Sequence, residues 1–381
     1  MTRLVFLVPV WGRSYVQVMI EGLLPSLLTP RNFPLLCQHR RSTLKIISNS
    51  EGEMLARDIE VIEKCREFLD VDFVVDDNTI DSNKYASMSR MYLHGLSTLN
   101  KENRLSKEDN FIVYLTPDMF CSDGTIETLL ECSKSSFKKV MVLGIRVIKD
   151  KFLSGIKNYS PGDSSNSLDF LIQLMLSTLH PISEVLNVNA GTFNNQWPSH
   201  LYWIEKNILI AHGFHWHPLM QSHSEIWIKT LLEQYSTSTP PTIDDHRFMR
   251  ESDGKFSYFE HCCVNTDPKR IMLVELSDLP KQRQNNRKTL VSIPSILLWC
   301  HSNVDEFQWY LFTHEVIFSL SSSILNEKVI NESRVFTEKI LAFNKKMPRF
   351  FIKLIIKFRH LIGFVKLETK RLLRKITQFV T

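Results

Sequence analysis

Glycine-rich phosphate loops are missing from this 381-residue sequence: neither a G-x-G-x-x-G nor a Walker-type stretch occurs. That argues against a dinucleotide oxidoreductase and against a P-loop NTPase, both of which cradle phosphates on such a loop. A G-x-S-x-G nucleophile elbow is also missing, which weakens a hydrolase reading. The seven cysteines are odd in number, no two stand in C-x-x-C spacing, and Cys262 and Cys263 are adjacent. This suits neither a zinc knuckle nor a disulfide framework. Cys37, Cys65, Cys121, Cys132, Cys262, Cys263 and Cys300 read as isolated thiols in a reducing compartment. No stretch reaches the ~18–20 uninterrupted apolar residues of a membrane-crossing helix. The apolar run at the start, Leu4–Val8, is cut by Pro9 and is too short for a secretory signal. The expectation is a cytoplasmic protein, soluble or peripheral. No internal repeat and no glycine-rich linker divides the chain.

What is present is ordinary globular composition, 43% hydrophobic and 23% charged, with ample chain for a large core. The net charge of +5 is unevenly placed. From Lys345 onward eleven basic residues stand against Glu368 alone, so the tail carries +10 and the body −5. A mildly acidic body is not built to bind nucleic acid. Within the tail, Arg349, Lys353 and Lys357 punctuate an apolar stretch at helical spacing. That fits a helix lying in anionic headgroups, or one packed on the acidic body or on a partner.

Leu4–Val8, Leu44–Ser48, Val71–Val75, Phe111–Leu115 and Val140–Val147 read as strands. Between them, helical spacing covers Tyr15–Leu28, Glu53–Phe68, Lys84–Leu99 and Thr125–Ser133. This alternation predicts an open α/β sheet with parallel strands joined by helical crossovers. Further on come a helix over Leu168–Leu179, strands over Leu201–Ile204 and Ile208–Ala211, and a helix over Ile226–Tyr235. Asn158–Ser167 and Lys281–Lys288 read as loops. Ligands of open sheets bind beyond the carboxyl ends of the strands. Trp11, Gly12 and Arg13 follow the first strand there, Asp76 and Asp77 the third, and Asp118 the fourth.

The residue types at that edge suit a nucleoside diphosphate. Asp118 could hold Mg²⁺ or Mn²⁺, hard cations that prefer oxygen; Asp123 either joins it or caps the next helix. Trp11 suits base stacking and Arg13 a phosphate. Asp76 and Asp77 suit a ribose diol or a base N–H, or else a solvated turn. In an extended chain His215 and His217 share one face, for a metal or a diphosphate; with His212 they could equally sit in an aromatic core. Asp244 and Asp245 are vicinal and point to different sides, so one is expected at the site as a general base or a sugar-orienting carboxylate. Asp244 could instead cap a short helix.

Five stretches carry a resemblance: Val10–Gly12 (V-W-G), Pro117–Gly124 (P-D-M-F-C-S-D-G), Trp197–Trp203 (W-P-S-H-L-Y-W), His215–Leu219 (H-W-H-P-L) and Thr242–Asp245 (T-I-D-D). Over residues 4–280 the chain resembles the GT-A class of glycosyltransferases, and within it a little-characterised bacterial group. The resemblance implies a GT-A-like open mixed α/β sheet with a Rossmann-like nucleotide-sugar-binding half over 1–150 and an acceptor and metal half over 151–280. It implies a nucleotide-sugar donor and a divalent metal held by Asp118, joined by His217. The class motif D-x-D has Thr116 at its first position here. A helical extension is expected over 281–344 and a basic amphipathic membrane-surface helix over 345–381. Sugar transfer to a glycan or lipid-linked hydroxyl on the inner face of the cytoplasmic membrane is the expected function, with Asp244 or Asp245 catalytic. Its rivals are nucleotidyl transfer on a similar half-sheet and an inactive membrane-attached scaffold of the same fold.

Overall fold

The computed structural model describes residues 3–346 apart from 39–41, 58, 79–82, 102–109, 163–164, 224, 237, 246, 249–260, 280–289 and 322–325. The basic tail beyond Lys346 and the loop over 281–288 therefore lie outside the described residues.

Apolar runs make the first strands. β1 (Arg3–Pro9) and β2 (Thr43–Ser48) are buried at every position, as parallel strands covered on both faces must be. Between them runs a helical stretch in three pieces: α1 (Arg13–Val18), a π-turn (Met19–Leu23) and α2 (Leu24–Leu27). Pro25 opens α2 without an N–H to donate back, and the wider π-turn just before it absorbs that missing bond. The helix expected over 53–68 is two, α3 (Ser50–Ala56) and α4 (Glu60–Arg66), because Ile59 is extended at φ −85°, ψ 138°. β3 (Asp70–Val75), α5 (Lys84–Lys101) and β4 (Asn110–Tyr114) complete the first half.

After β4 come β5 (Met119–Cys121) and α6 (Thr125–Lys134). The expected strand over 140–147 divides into β6 (Lys139–Val142) and β7 (Gly144–Ile148), which join different sheets. Then follow α7 (Lys149–Ile156), α8 (Ser165–Ser177), α9 (Pro181–Glu184), β8 (His200–Glu205), β9 (Ile208–Gly213), β10 (His217–Ser222) and α10 (Glu225–Gln234). The last elements are β11 (Cys262–Asn265), β12 (Leu273–Ser277), α11 (Ile293–Asn303), α12 (Glu306–Phe312), β13 (Val316–Ser319) and α13 (Glu327–Lys346).

The main sheet has seven strands in the order β11-β6-β10-β4-β1-β2-β3. β1 is parallel to β2 and β4, β2 to β3, and β6 to β11; β10 alone runs antiparallel, between β4 and β6. The expected open mixed α/β sheet is therefore present, although its two sequence halves interlock: β10 and β11 belong to the second half and lie beside strands of the first. β5-β12-β7 and β13-β9-β8 form two smaller sheets. Within the helical extension expected over 281–344, β13 is an edge strand of the second of these, paired with β9.

Two helices, α5 and α10, cover one face of the main sheet with Met91, Tyr92, Leu96, Ile228 and Leu231. The helices α2, α4 and α6 cover the other through Leu24, Leu27, Ile62, Ile126 and Leu129. A third core joins the smaller sheets to α8, α11 and α12. All seven cysteines are free thiols, and the Cys132 and Cys263 sulfurs approach to 3.8 Å. Among the described residues no helix is long and apolar enough to cross a membrane.

Candidate active site

Strand order places the site. From β1 the chain builds outward to β2 and β3, then returns to lay β4 on the other side of β1. The crevice beyond the carboxyl ends of β1 and β4 is the switch point where open α/β sheets take their ligands. Because β10 is antiparallel, its first residue, His217, arrives at this same edge. β5 and β7 begin just beyond β4 and β6, which puts the small sheet β5-β12-β7 beside the crevice.

A tight turn after β4 presents Asp118. Its Oδ1 accepts from the Thr116 hydroxyl at 2.6 Å, and its carbonyl accepts from Leu276 N of β12 at 2.7 Å. Burial raises the Asp118 pKa, with nearby Glu275 adding to the rise; the Thr116 hydroxyl and Arg146 oppose it. Thr116, in the place of the first D-x-D aspartate, thus orients the remaining aspartate rather than adding a charge. Asp123 does not cap α6: Gly124 is the N-cap, and Asp123 Oδ1 accepts from Arg31 N at 2.8 Å.

The neighbouring strands add a pair that the sequence did not single out. Glu275 and Arg146 are register partners on β12 and β7. Glu275 Oε2 accepts from Arg146 Nη2 at 2.9 Å and from Nε at 3.2 Å. Gly144 makes room for this carboxylate, since a Cβ there would stand 2.9 Å from Glu275 Oε1. The buried Tyr202 hydroxyl of β8 feels both charges and stays neutral, its pKa raised first by burial. The only signal in the sequence is a lone charge inside each apolar strand, G-I-R-V-I and L-V-E-L-S.

The histidines divide. His212 is core, its Nδ1 against the Phe312 carbonyl at 3.2 Å and its ring beside Trp203. His217 Nε2 donates to the Tyr114 carbonyl at 2.7 Å, which fixes the proton on that nitrogen because a carbonyl can only accept. Burial lowers the His217 pKa; the fields of Asp244 and Glu275 partly offset it. His215 lies between β9 and β10, its Nδ1 4.0 Å from Asp244 Oδ2. Its carbonyl accepts from His200 Nε2 at 2.9 Å, and burial holds His200 neutral with a pKa lowered to about 3.

The vicinal aspartates also divide. Asp244 faces His215 and acts electrostatically on His217 and on Tyr92. Asp245 closes a local turn, accepting from Arg247 N at 2.8 Å and pairing with the Arg247 guanidinium at 3.2 Å. Asp77 is similarly engaged: its two oxygens accept from Ser50 N at 2.8 Å and Ser50 Oγ at 2.6 Å. Asp76 meets His94 Nδ1 at 3.4 Å and Asn78 N at 2.8 Å. Trp11 is half-buried with its ring 6.2 Å from Tyr15. Gly12 sits at φ 74°, a conformation a side chain would strain, with open space where a Cβ would stand. Arg13 is exposed.

Among the described residues no three His, Cys, Asp or Glu side chains meet to hold a metal on their own. A magnesium-type ion needs only one or two carboxylates when phosphate oxygens complete its shell. Asp118, with Oδ2 left over from its Thr116 bond, fits that use. His217 can offer only Nδ1, since Nε2 is engaged.

No family model matches this chain, and no curated protein matches it. Among solved structures it is similar to S. aureus TarS at 10% identity and a TM-score of 0.31, covering 82% of this chain and 42% of that one. It is also similar to the apo form of mouse xyloside xylosyltransferase 1 at 13% identity and a TM-score of 0.27, covering 41% of this chain and 58% of that one. The chain thus spans less than two thirds of either structure. Likeness at this level carries no weight for the chemistry, which stands on the geometry of the site.

Proposed function

We propose that this chain is a glycosyltransferase of the GT-A type, moving a sugar from a nucleotide-sugar donor to a hydroxyl of a glycan or lipid-linked acceptor. The observation that supports it is convergence: Asp118, Arg146, His217, Asp244 and Glu275 come from five separate segments to the switch-point edge of the sheet.

In this reading Trp11 stacks on the base, and Gly12 and Arg13 meet the phosphates. Asp118 would hold a divalent ion, which when bound would supply positive charge for the diphosphate oxygens. Arg146, fixed by Glu275, keeps a positive charge beside Asp118 that needs no reorganisation during the reaction. Asp244 takes the acceptor hydroxyl's proton as that oxygen bonds to the anomeric carbon. The bond from that carbon to the diphosphate oxygen breaks, and its electron pair leaves with the nucleotide. The basic tail would rest on an anionic membrane surface at the cytoplasmic face, near a lipid-linked acceptor.

The test is product analysis with a panel of nucleotide sugars and nucleoside triphosphates. Release of a nucleoside di- or monophosphate from one nucleotide sugar, lost in Asp118→Asn, supports the proposal. Diphosphate release from a triphosphate would instead mean nucleotidyl transfer, and inertness toward every compound would mean an inactive scaffold.

A further inference from the structure

Two of the seven thiols meet. The Cys132 thiol of α6 donates to the Cys263 sulfur of β11, Sγ to Sγ 3.8 Å, across 131 positions of sequence. Each is placed by the face it occupies. Cys132 follows Leu129 by three positions on α6 and packs with it against the main sheet. Adjacent residues of a strand point to opposite faces, and the vicinal cysteines obey this. Cys262 packs into the core of the smaller sheets, Cys263 into the core under α2, α4 and α6. Cys263 rather than Cys262 thus meets Cys132. β11 is an edge strand of the main sheet, and Cys263 is only half-buried, whereas Cys132 is 2% exposed.

The surroundings give the two sulfurs different roles. Donation from Cys132 favours the Cys263 thiolate, and the Arg270 guanidinium adds positive charge; together they outweigh burial and lower the Cys263 pKa to about 7. The same hydrogen bond, with burial, raises that of Cys132 and keeps its proton on. Arg270 is held in place against α6: its Nη2 donates to Glu131 Oε2 and its carbonyl accepts from the Thr128 hydroxyl, both at 3.1 Å. A partly exposed nucleophile backed by a buried second thiol is the arrangement of an attacking and a resolving cysteine.

We propose that Cys132 and Cys263 are a redox pair that a low-molecular-weight disulfide closes into a protein disulfide, clamping α6 to β11. The Cys263 thiolate attacks one sulfur of the small disulfide; that S–S bond breaks, and one thiolate leaves and takes up a proton. Cys132 then loses its proton to solvent and attacks the Cys263 sulfur of the mixed disulfide. The second small thiolate leaves and is protonated in turn. Two protein thiols are oxidised and one small disulfide is reduced to two thiols, so hydrogens and electrons balance. α6 follows Asp118 by way of β5, and β11 leads into β12 with Glu275. The bond would join the two segments that approach the candidate site from this side. The inference stands apart from the glycosyltransferase reading, since it needs neither donor nor acceptor.

The experiment exposes the full, folded chain to oxidised glutathione, blocks the remaining thiols by alkylation and maps the peptides by mass. Cys37 is exposed and will carry glutathione on its own, so the peptide map is the readout rather than the intact mass. The parent should yield a bridged peptide pair joining Cys132 to Cys263, with no glutathione left on either. Cys132→Ser should stop at the mixed disulfide, with glutathione on Cys263, and Cys263→Ser should leave Cys132 unmodified. A parent chain in which Cys263 stays reduced, keeps its glutathione or bridges to another cysteine would overturn the inference. Urea unfolding reads the clamp. A bond that closes 131 positions of chain restricts the unfolded state, so the oxidised parent should unfold at higher urea than the reduced one, with no such rise in Cys132→Ser. A lower midpoint after closure would mean that the bond pulls α6 from β11, and the clamp would fall.

Discussion

Arg146 donates twice to a single oxygen of Glu275, at 2.9 and 3.2 Å, across a parallel strand pair in which the two residues are register partners. Both side chains are partly exposed, 42% and 31%, so water screens their attraction and the pair adds little to folding. Its consequence is local: the guanidinium is held in one place beside Asp118.

Glu275→Gln and Arg146→Met should each cut turnover by at least about tenfold, while costing only on the order of 1 kcal/mol of stability. The double variant should lose less than the sum of the two, with a coupling of about 0.5–3 kcal/mol. A double-mutant cycle on kcat/KM measures this, and strictly additive losses would show that the two side chains act apart.

Gly144→Ala tests the same carboxylate from the backbone side. The added methyl would stand 2.9 Å from Glu275 Oε1 and 3.2 Å from its Cγ. Glutamate can swing away cheaply, so a stability change below about 1 kcal/mol is expected. Activity should fall with it, because Arg146 loses its anchor. Unchanged turnover would separate Glu275 from the chemistry.

Asp118→Asn should stabilise the ligand-free protein near neutral pH. Burial raises the folded pKa of Asp118; its favourable contribution is present below the unfolded value and is lost as pH rises through the folded one. Near neutral pH a carboxyl whose ionisation burial opposes carries a cost that asparagine avoids, while the Thr116 hydroxyl can still donate to the amide oxygen. A gain of about 0.5–2 kcal/mol, typical where a site is kept for function, is expected in urea denaturation. A loss of stability would mean that Asp118 is a structural residue.

Acid should destabilise the fold well before the carboxylates protonate. Burial lowers the pKa values of His180, His200, His212, His217 and His223. An unfolded histidine binds its proton near pH 6.5, so below that pH the unfolded chain binds more protons and stability falls. The stabilisation is complete above about pH 6.5 and is lost as pH falls; for His200 the loss continues to about 3. Each such histidine contributes up to about 1.4 kcal/mol per pH unit. Urea midpoints at pH 7.5, 6.5 and 5.5 should decline, and His212→Gln should make the decline shallower. Constant midpoints would contradict neutral burial.

The parallel half of the fold was legible because β1, β2 and β4 are short apolar runs with polar residues at their carboxyl ends, a pattern set by burial on both faces. The division of 139–148 into β6 and β7 was not legible, since Val140–Val147 is apolar apart from Gly144 and Arg146 and the break depends on which strands lie alongside. Of the site, Asp118 could be placed at the sheet edge from the strand pattern; His217 joined it only through the family resemblance, because its place at that edge depends on β10 running antiparallel beside β4. Arg146 and Glu275 could not be placed, because their pairing joins residues 129 positions apart and neither lies in a polar cluster. Between Asp244 and Asp245 the choice came from backbone geometry: the turn at Thr242 directs Asp245 to Arg247 and leaves Asp244 toward His215.

The most direct test is thermal stabilisation of the full chain by nucleoside diphosphates, triphosphates and nucleotide sugars, with and without Mn²⁺, in the parent protein and in Asp118→Asn. A ligand that binds only the folded state raises the midpoint by mass action, worth about 2.7 kcal/mol at a hundredfold excess over Kd. One nucleotide sugar should raise the parent's midpoint more with Mn²⁺ than without, and that increment should vanish in Asp118→Asn. If no nucleotide moves the midpoint, or if the shift is unchanged in the variant, the switch-point edge is not a donor site built on Asp118.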